Sequence, residues 1–229
     1  MTTEVALPEL LISPADPAKD RGAYFILAHG AGAAMDTPFM TTIAEGVAAG
    51  GVTVVRFEFP YMAGRRSGGG KRPPDRQPTL LACWQAVIDH VRQRYAPSVL
   101  VIGGKSMGGR MASLIADQMG VDGLIGLGFP FHAAGKPEKA ASRVEHLATL
   151  GTPALFCQGT RDALGSRETV EALSLAPTIS LQWLEDGDHS LKPRKKSGRS
   201  EEQALAEAVD GVRRFIEQRF AAEVLSGEK

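Results

Sequence analysis

Six short apolar runs bounded by glycine or proline constrain what this chain can fold into. They are Tyr24–Ala28 (YFILA), Val52–Phe59 (VTVVRFEF), Val99–Ile102 (VLVI), Leu124–Leu127 (LIGL), Ala154–Cys157 (ALFC) and Ile179–Leu184 (ISLQWL), with a further strand expected near Val5–Ile12. Several are apolar almost throughout, the pattern of parallel strands covered on both faces rather than of a half-wet antiparallel sheet. Helix-period segments lie between them, at about 37–49, 79–94, 107–119, 141–149, 166–174 and 200–221. In the last of these Ser200 and Gln203 make a capping box, and Leu205, Val209, Val212, Ile216 and Phe220 recur at spacings of three and four. Alternating strand and helix predicts a three-layer α/β fold whose mostly parallel central sheet has about seven strands. Its site then belongs at the carboxyl ends of those strands.

At 229 residues and 43% hydrophobic, the chain can bury one sizeable core, and we expect a single domain over 1–229. Lys+Arg and Asp+Glu each number 26, so no global charge draws the protein to nucleic acid or to an anionic membrane. The start "MTTEVALPELLISPADPAKD" carries acids and prolines where a signal peptide needs a basic end and an apolar run, and no stretch approaches 18 uninterrupted apolar residues. A cytoplasmic protein is expected. Cys83 and Cys157 fit neither a disulfide framework nor a metal-ligand spacing, and both read as buried small apolar residues. No cofactor is implied.

The stretch "VLVIGGKSMGGRMASLIA", 99–116, admits two kinds of chemistry. Its Gly-Lys-Ser resembles the end of a phosphate-binding loop, but such a loop needs glycine five residues before that glycine, where Val99 stands inside a strand. Gly104-Lys105-Ser106-Met107-Gly108 instead fits the G-x-S-x-G turn that lifts a nucleophilic serine between a strand and a helix. A serine hydroxyl needs an imidazole to take its proton and a carboxylate to fix that imidazole's tautomer, in the order Ser, acid, His for this kind of fold. "QGTRDALG" puts Asp162 just past one strand, and "EDGDHSLKP" puts His189 just past the next. Asp188 is the reserve candidate for the acid, while Asp186 and Asp188 are both expected to shape the turn before His189. His90 and His146 read as solvated; His132 could line a pocket but precedes the acid and breaks the order.

Met107 N–H, at the start of the helix after Ser106, is the natural first oxyanion donor. The second is expected from "AHGAGAAMDTPFM": Ala31 first, Gly30 next, with His29 a structural hydrogen-bonder beneath the loop. Tyr61, Phe129 and Phe131 follow strand ends and are candidates for an apolar wall. Two loops, "GRRSGGGKRPPDR" (64–76) and "KPRKKSGRS" (192–200), hold five cations each, and Arg65 and Arg66 are candidates for a rim that attracts an anionic substrate.

With these residues in place, the chain resembles the α/β-hydrolase superfamily over nearly its full length, and its compactness is similar to that of the dienelactone-hydrolase-like proteins. "AHGAGAAMDTPFM", "RFEFPYM", "GGKSMGGRMAS", "QGTRD" and "DGDHSLKP" are similar to a branch of small hydrolase-like proteins that includes the hydrolase-like region of a human histone-acetyltransferase complex subunit. The resemblance implies an α/β-hydrolase fold and a triad of Ser106, Asp162 and His189. It transfers no substrate, because dienelactone hydrolases proper use a cysteine nucleophile where this chain has Ser106. The segment between the strands at 124–127 and 154–157 is about 26 residues, too short for a large helical cap. A serine hydrolase of the carboxylesterase or thioesterase type, acting on a small-molecule ester or thioester, is therefore expected; the alternative is a hydrolase-like scaffold that binds a partner or anionic ligand with little turnover. The oligomeric state is left open.

Overall fold

The computed structural model describes residues 6–226, with side chains described as far as 220. Seven strands form one sheet: β1 Leu10–Ser13, β2 Ala23–Ala28, β3 Val52–Phe57, β4 Val99–Lys105, β5 Gly123–Leu127, β6 Ala154–Gly159 and β7 Ile179–Leu184. Their order is β1-β3-β2-β4-β5-β6-β7; β1 pairs antiparallel with β3 and every other pairing is parallel. This is an α/β-hydrolase fold. The strand expected near Val5–Ile12 lies at β1, and Val5 itself falls outside the described residues.

The helices are α1 Pro38–Ala48, α2 Pro60–Arg66, α3 Gln77–Tyr95, α4 Met107–Ser113, α5 Ala116–Met119, α6 Ala140–Arg143, α7 Arg167–Glu171 and α8 Glu201–Ser226. Successive strand residues point to opposite faces, and here both faces are covered. Phe25 and Leu27 pack with α1 and α8 through Ile43, Val212 and Ile216, while Ile26 between them joins the opposite cluster with Trp84, Ile88 and Ile102. Each such fully buried aliphatic or aromatic side chain contributes about 1.5–3 kcal/mol of transfer free energy, which is why these strands are apolar without alternation. The capping box of α8 is formed: Gln203 N–H donates to Ser200 Oγ at 3.1 Å, and Ser200 N–H to Gln203 Oε1 at 2.9 Å.

Several boundaries differ from the sequence expectation. The third strand stops at Phe57, because Phe59 caps a helix that the sequence reading missed, with Pro60 supplying a helix-ready φ at its first position. The helix expected at 107–119 is broken at Leu114 and Ile115 into α4 and α5, and that expected at 141–149 is α6 followed by a 3₁₀ turn, Glu145–Thr149. The connection 128–153 thus carries only short helical turns and no lid.

Candidate active site

Four connections leave the carboxyl edge of the sheet and meet above β4. Ser106 stands between β4 and α4 with φ 51° and ψ −115°, a backbone conformation that costs a non-glycine residue of order 1–3 kcal/mol. The flanking glycines permit it. A Cβ on Gly104 would stand 2.5 Å from the Ala28 carbonyl oxygen, and one on Gly108 would stand 2.5 Å from that of His29. Only bare backbone lets α4 start this close to the end of β2.

His189, on the turn after β7, approaches Ser106 from the other side. Its Nε2 lies 2.8 Å from Ser106 Oγ, and its Nδ1 lies 3.0 and 2.9 Å from the two carboxylate oxygens of Asp162. An ionised carboxylate can only accept, so Nδ1 carries the proton and Nε2 is left with a lone pair facing the hydroxyl. Asp162 is 1% exposed, and its remaining valences are filled: Leu164 N–H donates to Oδ1 at 2.8 Å and Gln158 Nε2 to Oδ2 at 2.9 Å. Gln158 is fixed in turn by Phe129 N–H, which donates to its Oε1 at 2.7 Å. Asp188 stays out of this row; its Oδ1 accepts from Ser190 N–H and Lys192 N–H and closes the turn. Asp186 also shapes that turn, with φ 56°, and the hydrogen bond from the Arg194 side chain holds its carboxyl well below the usual carboxylate range.

The loop after β2 is braced from below. Phe59 N–H donates to His29 Nε2 at 3.1 Å, which fixes the tautomer and directs His29 Nδ1–H to the Gly30 carbonyl at 2.6 Å. Tyr61 OH donates to the carbonyls of Ala31, at 2.9 Å, and Gly30, at 3.3 Å. Across a planar trans peptide the N–H points opposite to the C=O, so drawing the Gly30 carbonyl down turns Ala31 N–H to the other side of the peptide plane. Among the described residues, neither Ala31 N–H nor Met107 N–H meets a protein acceptor. Burial lowers the pKa of His29 and pushes that of Tyr61 up to about 12, so both stay neutral near pH 7.

Beside Ser106 and His189 opens a cleft of ≈450 Å³ whose apolar wall comes from Ala31, Ala33, Pro38, Phe39 and Met40. This corrects the sequence expectation. Tyr61, Phe129 and Phe131 are 3%, 0% and 0% exposed and do not line this cleft: Phe129 stacks on Phe156 at 4.6 Å inside the core, and Tyr61 works through its hydroxyl. Four of the ten cations expected to form a rim are held in internal ion pairs, and a fifth, Arg65, is held by a main-chain carbonyl. Arg66 bridges Glu58 and Asp36, Arg65 donates to the Arg72 carbonyl, and Lys192, Arg194 and Arg199 pair with Glu201, Asp186 and Glu207. His146 is partly buried rather than solvated throughout; it hydrogen-bonds Ser113 Oγ, and burial lowers its pKa to about 4. His90 is half-buried against Tyr95, and His132 is buried with Nδ1 on the Ala133 carbonyl.

Burial pushes the thiols of Cys83 and Cys157 up to about 12, so neither offers a thiolate near pH 7. Among the described residues no group of three His, Cys, Asp or Glu side chains could hold a metal ion, and no helix is long and apolar enough to cross a membrane. The sequence reading overlooked Gln158, although a lone amide at the end of an apolar strand, four residues before Asp162, was a visible signal.

Solved structures resemble this chain over most of its length. A serine hydrolase without lid from Xanthomonas campestris is 22% identical, with a TM-score of 0.67 over 90% of this chain and 88% of that one. An alpha-beta serine hydrolase homologue from Coxiella burnetii is 21% identical, with a TM-score of 0.68 over 93% and 97%. Est1E from Butyrivibrio proteoclasticus is 14% identical, with a TM-score of 0.68 over 93% and 94%. At such identities the likeness is one of fold. The family of alpha/beta hydrolase domains matches residues 21–217, and the chain belongs to that family.

Proposed function

We propose that this protein is a serine hydrolase that cleaves a small carboxylic ester or thioester through an acyl-enzyme. The observation that carries the reading is the hydrogen-bonded row from Ser106 Oγ through His189 to buried Asp162, on a strained turn beside an open cleft. In this reading Ser106 Oγ attacks the substrate carbonyl while His189 Nε2 takes the hydroxyl proton, and Asp162 holds the imidazole in the tautomer that can accept it. Charge developing on the carbonyl oxygen is received by Met107 N–H and Ala31 N–H, with Gly30 N–H the next candidate. His189 then protonates the leaving alcohol or thiol. A water activated by the same imidazole releases the acid and restores the serine. The apolar wall of Ala31, Pro38, Phe39 and Met40 suits an apolar acyl or alcohol group.

The likeness to dienelactone-hydrolase-like proteins remains part of this reading and brings no substrate with it, since the elbow carries serine. A fluorophosphonate probe tests the nucleophile: the wild type should be labelled and Ser106→Ala should not. On a panel of acyl esters and thioesters, Ser106→Ala should lower kcat by roughly four to six orders of magnitude. An unlabelled wild type would favour the non-catalytic scaffold.

A further inference from the structure

Lys105, the residue before Ser106, is an ammonium group in an unusual place. It ends β4, and its side chain runs beneath the His189 turn, where Nζ donates to the main-chain carbonyl of His189. The ring of Phe39 lies 5.7 Å from Nζ on the cleft side. Gly128, just past β5, lies beside the same contact with φ 58°. A methyl group on Gly128 would collide with the His189 carbonyl oxygen and stand 2.8 Å from Lys105 Nζ. Three connections therefore converge on one contact: Lys105 from β4, Gly128 from β5 and His189 from the turn after β7.

An apolar side chain would fill this space without the cost of burying a charge. Burial does act against the charge, lowering the Lys105 pKa to about 8, while Asp162 and Asp188 across the gap work to keep the proton on. No carboxylate forms an ion pair with Lys105 among the described residues, so the His189 carbonyl is its principal partner.

We propose that Lys105 is a positioning residue: its ammonium clamps the main-chain carbonyl of His189 and thereby sets the imidazole between Ser106 and Asp162. The kinetic consequence rests on the serine-hydrolase reading; the geometric one does not. The charge strengthens the hydrogen bond, so the clamp weakens as pH rises through about 8 and Lys105 becomes neutral.

Lys105→Met keeps the length of the stem and removes the donor. In this variant kcat should fall roughly 10- to 100-fold with KM within about twofold, as expected when a charge-assisted bond that orients the base is lost. The wild type should lose kcat as pH rises from 7 to 9, whereas Lys105→Met should lack that decline. Lys136→Met, on an exposed turn, serves as the control. Gly128→Ala attacks the same contact from β5 and should also lower kcat. Should Gly128→Ala fail to fold, Lys105→Met decides alone. A second readout is independent of turnover: the proton NMR signal of His189 Nδ1–H, present in the wild type, should shift or broaden in Lys105→Met. If the wild type neither reacts with fluorophosphonate nor turns over esters, the serine-hydrolase reading fails and the NMR signal alone decides the clamp. Unchanged kcat and an unchanged alkaline limb in Lys105→Met, or an unchanged NMR signal, would overturn the proposal.

Discussion

Ser106 stands between two flanks that are held by different chemistry. On the side of β2 the loop His29–Ala31 is fixed by neutral groups, the His29 ring and the Tyr61 hydroxyl, which take hold of carbonyls. On the side of β6 and β7 the turns that carry Asp162 and His189 are fixed by ions: Asp162 itself, Lys105, and Asp186 between Arg161 and Arg194. In the proposed reaction the first flank receives charge on a substrate oxygen, and neutral braces leave its N–H dipoles uncompensated. The second must move a proton, and nearby charges fix where that proton rests. The neutral flank should therefore be indifferent to pH between 7 and 9, and the charged flank should not.

The largest expected effect probes the charged flank. Asp162→Asn should cost about 10⁴ in kcat near neutral pH, because an amide can hold the wrong imidazole tautomer, whereas Asp188→Asn keeps an acceptor for its turn and should cost less than about threefold. Steady-state kinetics on one ester decides it; the reverse ranking would give the acid role to Asp188.

Next comes the neutral flank. Tyr61→Phe frees the Ala31 carbonyl of one neutral hydrogen bond and should lower kcat roughly 2- to 12-fold. Since burial holds the Tyr61 hydroxyl protonated up to about pH 12, the ratio of wild-type to variant kcat should stay flat from pH 7 to 9. A ratio that changes with pH would break the contrast between the flanks.

A smaller effect concerns stability. Asp186 has a folded pKa below its unfolded value, so its contribution is fully present above the unfolded carboxyl value of about 3.9 and is lost as pH falls toward the folded one. Asp186→Asn should accordingly lower Tm at pH 7 by more than at pH 3, as thermal unfolding followed by circular dichroism would report. An equal drop at both pH values would mean that the turn gains nothing from the charge.

The smallest effect is expected from the loop at 64–76. With Arg66 already bound to Glu58 and Asp36, changing Arg65, Lys71 and Arg72 to Gln should alter the kcat/KM ratio of an anionic to a neutral ester by less than about twofold, at low and high salt alike. Arg66 is left in place because its removal would strand Glu58, which is 3% exposed. A salt-dependent loss confined to the anionic ester would restore the cationic rim.

What could be read in advance and what could not follow from the range of the forces involved. Strands such as Phe25–Leu27 were legible because burial on both faces leaves a local mark, and Ser106, Asp162 and His189 could be set on one edge because each lies in the connection that leaves a strand. The break at Leu114 and Ile115 carries no proline or glycine, so nothing local announced it. Phe129 and Phe39 look alike in sequence, both apolar and both beyond a strand end, yet one is core and the other wall; only the packing around each separates them.

The sequence by itself determined the layered sheet, the edge on which chemistry could sit and the residue types available there, because hydrophobic period and turn residues act over a few positions. Tertiary structure decided which groups hold which. The Lys105 ammonium meets the His189 carbonyl across 84 residues of chain, and Tyr61 meets Ala31 across 30. Such hydrogen bonds exist only within a few tenths of an ångström and a narrow range of angles, and that precision comes from the packing of the whole sheet and its helices rather than from any local pattern.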